Sequence, residues 1–151
     1  YIYYDANCIY ALSSNLDIAP EKKIITHALN PLPEGFPTLM TDFCEQENID
    51  YSNFLLTLGN KVNSLISAAA PNLGKLENLA NAYCFQIFGL DVLIDKAGDP
   101  IICEINKGPG MDAKNADAED LKNDMLNDVL SIVGLREEEN TGFVKTLEIE
   151  L

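Results

Sequence analysis

FQIFGLDVLIDKAGDPIICEINKGP, Phe85 to Pro109, is the stretch whose reading decides the fold of this chain. Two apolar runs, Phe85 to Ile94 and Ile101 to Ile105, are rich in β-branched and aromatic residues. Asp95-Lys96-Ala97-Gly98-Asp99-Pro100 between them is a cluster of turn formers. The pattern predicts a β-hairpin. A turn centred between Ala97 and Gly98 pairs Asp91 with Glu104, Gly89 with Asn106 and Leu93 with Ile102. Because side chains alternate along a strand, these six residues share one face. The other face then carries Phe88, Leu90, Val92 and Ile94 against Ile101, Cys103 and Ile105, an apolar surface expected in the core.

Two carboxylates directly opposite each other, with Cβ atoms roughly 4.5–5.5 Å apart, repel unless a positive charge sits between them. A hard divalent cation meets that need. Mg²⁺ prefers oxygen ligands and is commonly held by one or two carboxylates together with substrate phosphates. Asp91, Glu104 and the amide oxygen of Asn106 fit that description, and Gly89 is expected to leave open space beside Asn106. The register alone leaves a second reading open, in which Asp91 and Glu104 are ordinary polar residues of an amphipathic hairpin, since a one-residue slip would separate them.

The wording of the segment resembles the C-terminal hairpin of ATP-grasp ligases, and more narrowly of the tubulin tyrosine ligase-like family. There F-E-x-F-G-x-D-x-(apolar), a turn, and (apolar)-(apolar)-x-E-(apolar)-N-x-x-P carry the magnesium ligands. The corresponding residues here are FQIFGLDVLID and IICEINKGP, with Gln86 standing where the family often has Glu. Leu121 to Leu135, LKNDMLNDVLSIVGL, is similar to the helix that follows the hairpin in that family. The resemblance implies an α+β fold, the C-terminal portion of an ATP-grasp domain. It also implies an ATP- and Mg²⁺-dependent carboxylate–amine ligase that forms an amide bond through an acyl phosphate. Asp91, Glu104 and Asn106 would be its metal ligands and catalytic trio. Leu93 and Ile102, one strand step further toward the turn, would form an apolar floor for adenine or else are simply core, with Lys107 as a nearby cation. The implied partners are a small-molecule or protein carboxylate, an amine, and an N-terminal half of the same enzyme that carries further phosphate clamps. A noncatalytic acidic interaction domain derived from such a ligase is the alternative, because Tyr10 or Ala11 stands about where the family has a phosphate-binding arginine. A simple divalent-cation binder is a third.

Composition narrows the classes further. With 151 residues, 47% of them hydrophobic, the chain suits one domain spanning residues 1–151 with a substantial core. A net charge of −14 and the lack of clustered Lys or Arg argue against nucleic acid and acidic membrane surfaces. No apolar run approaches the ~20 residues of a membrane span and no leader segment is evident, so a cytoplasmic protein is expected. The chain starts at Tyr1 inside an apolar pattern, which suggests a C-terminal piece of something longer. Cys8, Cys44, Cys84 and Cys103 are widely spaced among apolar neighbours and are expected to be free thiols.

Elsewhere, Tyr1 to Tyr4 and Cys8 to Leu12 about Asp5-Ala6-Asn7 suggest a first hairpin. Ser13 to Glu21 reads as a loop and Lys23 to Ala28 as a strand. Thr26 and Asn30 in THALN resemble a family run that touches substrate, whereas His27 reads as structural. Asn30 to Asp42, with Pro31, Pro33 and Pro37, is expected to be a loop. Asp50 should cap a helix from Tyr51 to Ala70 whose apolar face packs in the core. Leu73 to Cys84 is open between short helix and loop, and Lys114 joins Lys107 among cations near the hairpin. A helix from Ala118 to Val133, capped by Gly134, is expected against the hairpin's apolar face. Arg136 to Asn140 reads as a solvated link and Phe143 to Leu151 as a strand. The Asp95 to Glu104 stretch has the wrong glycine position and acidic spacing for a calcium loop.

Overall fold

A two-stranded hairpin is marginal in water unless one of its faces is covered, and here a helix covers it. The computed structural model describes residues 1–10, 35–72, 85–113, 115–137 and 140–146. In chain order the elements are β1 (Ile2–Tyr3), α1 (Met40–Gln46), α2 (Tyr51–Ala69), a 3-10 turn (Ala70–Asn72), β2 (Gly89–Ile94), β3 (Pro100–Asn106), α3 (Ala116–Ile132) and β4 (Phe143–Val144). The class is α+β, as expected. Among the described residues the strands form two antiparallel ladders, β1 with β4 and β2 with β3.

The helix α2 begins where the sequence places it. The Asp50 carboxylate accepts a hydrogen bond from the Asn53 N–H at 3.1 Å, satisfying a donor that has no partner inside the helix. Its inner face delivers Phe54 and Leu58 to a buried cluster completed by Met40 and Cys44. Val92, Ile94 and Ile102 of the hairpin pack onto that cluster beside Ile49 and Val62. The Lys61 ammonium donates to the Pro100 carbonyl at 2.5 Å, tying α2 to the start of β3.

Met40 and Cys44 come from α1, inside and just beyond the proline-rich stretch read as a loop. The helix spans seven residues, too few for an apolar period to register. Tertiary contacts hold it. The Asp5 carboxylate accepts from the Thr41 N–H at 3.1 Å and the Thr41 hydroxyl at 2.8 Å, and Met40 N–H donates to the Ala6 carbonyl at 2.8 Å.

The same bonds explain why the expected first hairpin does not form. Asp5 turns the chain, but Ile2–Tyr3 pairs with Phe143–Val144, while Asn7 bridges Leu39 and Cys8 N–H donates to the Thr38 carbonyl at 2.8 Å. Strand-like residues on both sides of a turn do not identify their partners, and here both partners are distant.

The helix α3 starts two residues earlier than expected. The Asn115 side chain caps it by accepting from the Ala118 N–H at 2.7 Å. It ends as predicted. Gly134 takes φ of +77°, its N–H reaches the Ser131 carbonyl at 3.0 Å, and Leu135 N–H reaches the Leu130 carbonyl at 2.8 Å, a Schellman cap. The helix does not line the hairpin's apolar face, which α2 already occupies. Among the described residues α3 gives none to the cluster beneath the hairpin. It is tied instead to Thr38, whose hydroxyl donates to Asp117, and to Gly142, whose N–H donates to Asp128 at 2.7 Å.

At the hairpin's tip the Asp95 carboxylate accepts from the N–H groups of Ala97 at 2.8 Å and Asp99 at 3.0 Å. Gly98, at φ of +87°, lies over Ile49, so the turn rests on the α1–α2 connection. The readings of Ser13 to Glu21, Lys23 to Ala28, Thr26, His27, Asn30, Leu73 to Cys84, Lys114 and Leu147 to Leu151 fall outside the described residues. No helix among the described residues is long and apolar enough to cross a membrane.

Stability measurements check two of these contacts. Asp50→Ala removes the α2 cap and is expected to cost about 1 kcal/mol in a denaturant titration; an unchanged midpoint would show that the bond contributes nothing. The Asp99 and Ala97 N–H groups hold the Asp95 carboxyl below its ordinary value. A group whose pKa is lowered by folding stabilises above its unfolded value and loses that contribution as pH falls through the folded one. The stability gap between wild type and Asp95→Asn should therefore be widest near neutrality and close in acid. A pH-independent gap would contradict the assignment.

Candidate functional site

The hairpin register carries two departures from an even ladder, and they cancel. Ile94 faces Pro100, so the connecting loop is Asp95 to Asp99, one residue shorter than the turn expected from sequence. Leu93 then faces Ile101 and Val92 faces Ile102. Between Val92 and Asp91 the register shifts: Cys103 is an extra residue on β3, a β-bulge, and beyond it Asp91 faces Glu104, Leu90 faces Ile105 and Gly89 faces Asn106. The Asp91–Glu104 and Gly89–Asn106 pairs therefore stand as expected.

The expected Leu93–Ile102 pair does not. Ile102 turns inward with Val92 onto the core, while Leu93 is 62% exposed opposite Ile101. Ile101 and Cys103, expected in the core, are exposed, as are Phe88 and Ile105 beyond the bulge. A bulge moves every residue between it and the turn by one position, and this exchange of faces is its direct consequence. The alternation read from sequence is sound on β2, where Val92 and Ile94 point to the core, and fails on β3.

On the outer face the two carboxylates are exposed and Asn106 is half-buried. Among the described residues neither carboxylate side chain accepts a hydrogen bond or meets a cation. Opposed and uncompensated, they offer oxygen ligands with the Asn106 amide next along the same strand face. No group of three or more His, Cys, Asp and Glu that could hold a metal ion occurs among the described residues, so the donor set is two carboxylates and an amide. All its donors are oxygen, which suits a hard cation such as Mg²⁺. Lys107 comes directly after Asn106 and is exposed.

The space beside Asn106 is not open as expected. A Cβ at Gly89 would lie 3.1 Å from Pro109 Cβ and 3.3 Å from Pro109 Cα, so the glycine admits the chain that turns back after β3. Gln86 grips the same return, its side-chain amide donating to the Lys107 carbonyl at 2.6 Å and the Ile87 carbonyl at 2.8 Å. Sequence reasoning leaves Gln86 outside the ligand trio and gives it no role. Nothing in a single sequence shows which carbonyl an exposed amide will meet.

Of the two residues that stand about where the resembled family has a phosphate-binding arginine, Ala11 falls outside the described residues and Tyr10 spends its hydroxyl on the Pro37 carbonyl at 2.9 Å and packs edge-on against Phe36. Cys8, Cys44 and Cys103 are free thiols. Burial pushes the Cys8 thiol up to about 11 and raises that of Cys44, so neither is a ready nucleophile at neutral pH.

Residues 37–141 match the tubulin-tyrosine ligase family. The probable tubulin polyglutamylase TTLL2 of Mus musculus is 31% identical over 107 residues, 68% of this chain and 19% of that protein. The probable tubulin polyglutamylase TTLL9 of Bos taurus is 33% identical over 57 residues, 38% of this chain and 12% of its own length. The probable tubulin polyglutamylase ttll-9 of Caenorhabditis elegans is 26% identical over 80 residues, 52% of this chain and 19% of its own. The chain thus spans less than a fifth of the length of these relatives. Its α+β arrangement of short antiparallel ladders and helices is in keeping with part of an ATP-grasp-like fold. Since the matched segment runs from the approach to α1 through the hairpin and α3, the chain belongs to the tubulin-tyrosine ligase family.

Proposed function

We propose that this chain carries the metal-binding face of an ATP-dependent carboxylate–amine ligase. The observation that carries the reading is the pairing of Asp91 with Glu104 beside Asn106 on an exposed face, uncompensated among the described residues. Asp91 and Glu104 would hold Mg²⁺, with the Asn106 amide oxygen completing the protein's share of ligands. When bound, the metal neutralises negative charge on the transferring phosphoryl group.

The chain's own residues bind and orient. Asp91 and Glu104 fix the position of the triphosphate end, Lys107 offers a point charge next to Asn106, and Leu93 offers an apolar surface further toward the turn. Ile102, facing the core, would support that surface from beneath. No side chain of the trio needs to move a proton. A substrate carboxylate oxygen would attack the γ-phosphorus and release ADP, and an amine would then attack the acyl carbon and release phosphate. The relatives from Mus musculus and Bos taurus are probable tubulin polyglutamylases, so a protein carboxylate and an amino-acid amine are the proposed substrates. The net charge of −14 makes this chain a poor surface for holding an acidic tail, so target binding would rest on other parts of such an enzyme.

A second reading, an acidic interaction domain without catalysis, is favoured by Tyr10 alone. That position carries no positive charge and its hydroxyl is already committed.

Calorimetric titration with ATP, with and without Mg²⁺, tests the proposal. Magnesium-dependent binding is expected for wild type, weakened at least about tenfold in Glu104→Gln with the fold intact. Equal binding by the variant removes the metal assignment. No binding by wild type, with metal present, favours the interaction-domain reading for this chain.

A further inference from the structure

Gly89 lies in β2 without a positive φ, so its backbone is one that any residue adopts. The glycine answers to space instead. Gly89 faces Asn106 across the ladder and stands two residues before Asp91, so a side chain there would project on the ligand face beside Asn106. Pro109 takes that place. An added Cβ at Gly89 would lie 3.1 Å from Pro109 Cβ, 3.3 Å from Pro109 Cα and 3.9 Å from Asn106 Cβ. The proline is half-buried, while Lys107, Gly108 and Gly110 around it are exposed.

Asn106 is the last residue of β3, and strand ends fray unless something holds them. A ligand amide there, followed by Gly108 and Gly110 with open space around both, would sample many orientations and bind a cation weakly. Pro109 removes much of that freedom. Its ring fixes its own φ and disfavours a helical Gly108, and its packing on Gly89 returns the chain to the hairpin three residues after Asn106. The ring also fills the space across the ladder from the Asn106 side chain.

We propose that Pro109, seated on Gly89, is a positioning residue for Asn106: it pins the end of β3 and so holds the Asn106 amide beside the Asp91–Glu104 pair. The proposal rests on the metal-face reading and extends it to two residues that supply no ligand atom.

Two substitutions break the contact from opposite sides. Gly89→Val keeps strand propensity and adds an isopropyl group, which cannot share the seat with the ring, whereas a single methyl would need a shift of only a few tenths of an ångström. Pro109→Gly removes the ring. Both variants should fold, since neither residue belongs to the buried cluster. In calorimetric titrations at fixed ATP, each should raise the Mg²⁺ concentration at half-maximal binding about tenfold. Because both remove one and the same contact, the double variant should lose no more than the worse single one; independent losses would multiply to about a hundredfold. A loop that served only the fold would lower the denaturant midpoint and leave the Mg²⁺ midpoint where it was. A wild-type Mg²⁺ midpoint in either single variant, or multiplying losses in the double one, overturns the proposal. If wild type itself binds no ATP, the metal-face reading fails separately. NMR relaxation then decides the seat: backbone order parameters of Asn106 and Lys107 that are near about 0.85 in wild type and fall toward about 0.6 in both variants support it, and unchanged values overturn it.

Discussion

Burial of Val92, Ile94 and Ile102 against Phe54, Leu58, Met40 and Cys44 is the constraint on which the candidate site depends. Asp91 and Glu104 have no attraction for each other. At about 4 Å two like charges in water cost roughly 1 kcal/mol, and at exposed positions that high-dielectric figure is the relevant one. Fully burying one Val or Ile side chain is worth about 1.5–3 kcal/mol. These three are only partly buried, but together they still outweigh the repulsion. Slipping β2 by one residue to part the carboxylates would turn Asp91 toward the core in place of Val92 and Ile94. Packing on one face thus forces two charges together on the other, and the hairpin arrives at a cation with its ligands already opposed.

The part of this that the sequence revealed depended on chance as well as on pattern. The turn formers at Asp95 to Pro100 and the β-branched runs announce a hairpin, and a symmetric turn gives the Asp91–Glu104 pair. The true loop is one residue shorter, and the bulge at Cys103 restores the count. Pairs beyond the bulge are therefore as expected, and pairs between bulge and turn are not. Nothing in IICEIN marks Cys103 as unpaired, because a bulge is decided by how both strands sit on the helix beneath them. The α2 helix was legible for the opposite reason. Its cap, its period and Pro71 at its end are all local, and local agreement needs no knowledge of partners.

Short elements stabilised by distant residues were legible only in part. The helix α1 has seven residues and no side-chain cap of its own at Leu39; Asp5, far upstream, holds its first turn. The strands β1 and β4, two residues each, lie within stretches the sequence marks as strands, Tyr1 to Tyr4 and Phe143 to Leu151, but nothing local pairs them with each other. Their pairing rests on Tyr3 and Phe143, whose rings meet edge to face at 4.9 Å, and on Tyr4 N–H donating to the Gly142 carbonyl at 2.8 Å. A Cβ on Gly142 would run into the Tyr4 ring, so a glycine lets the two strands close together here.

The β1–β4 ladder also explains how the family segment is closed. The match covers residues 37–141, so both strands of this ladder lie outside it, one on each side. Gly142, next to the end of the match, donates to Asp128 of α3, and Asp5, just past β1, holds the first turn of α1. Through these contacts the flanking residues tie α3 and α1 to one another without using the hairpin. The core under the hairpin is then completed by α1 and α2, and α3 is held from the side. The outer face of the hairpin, with Asp91, Glu104 and Leu93 exposed, takes no part in these contacts. Positions that contribute nothing to packing can keep residues that stability alone would disfavour, and an opposed carboxylate pair is such a set of residues.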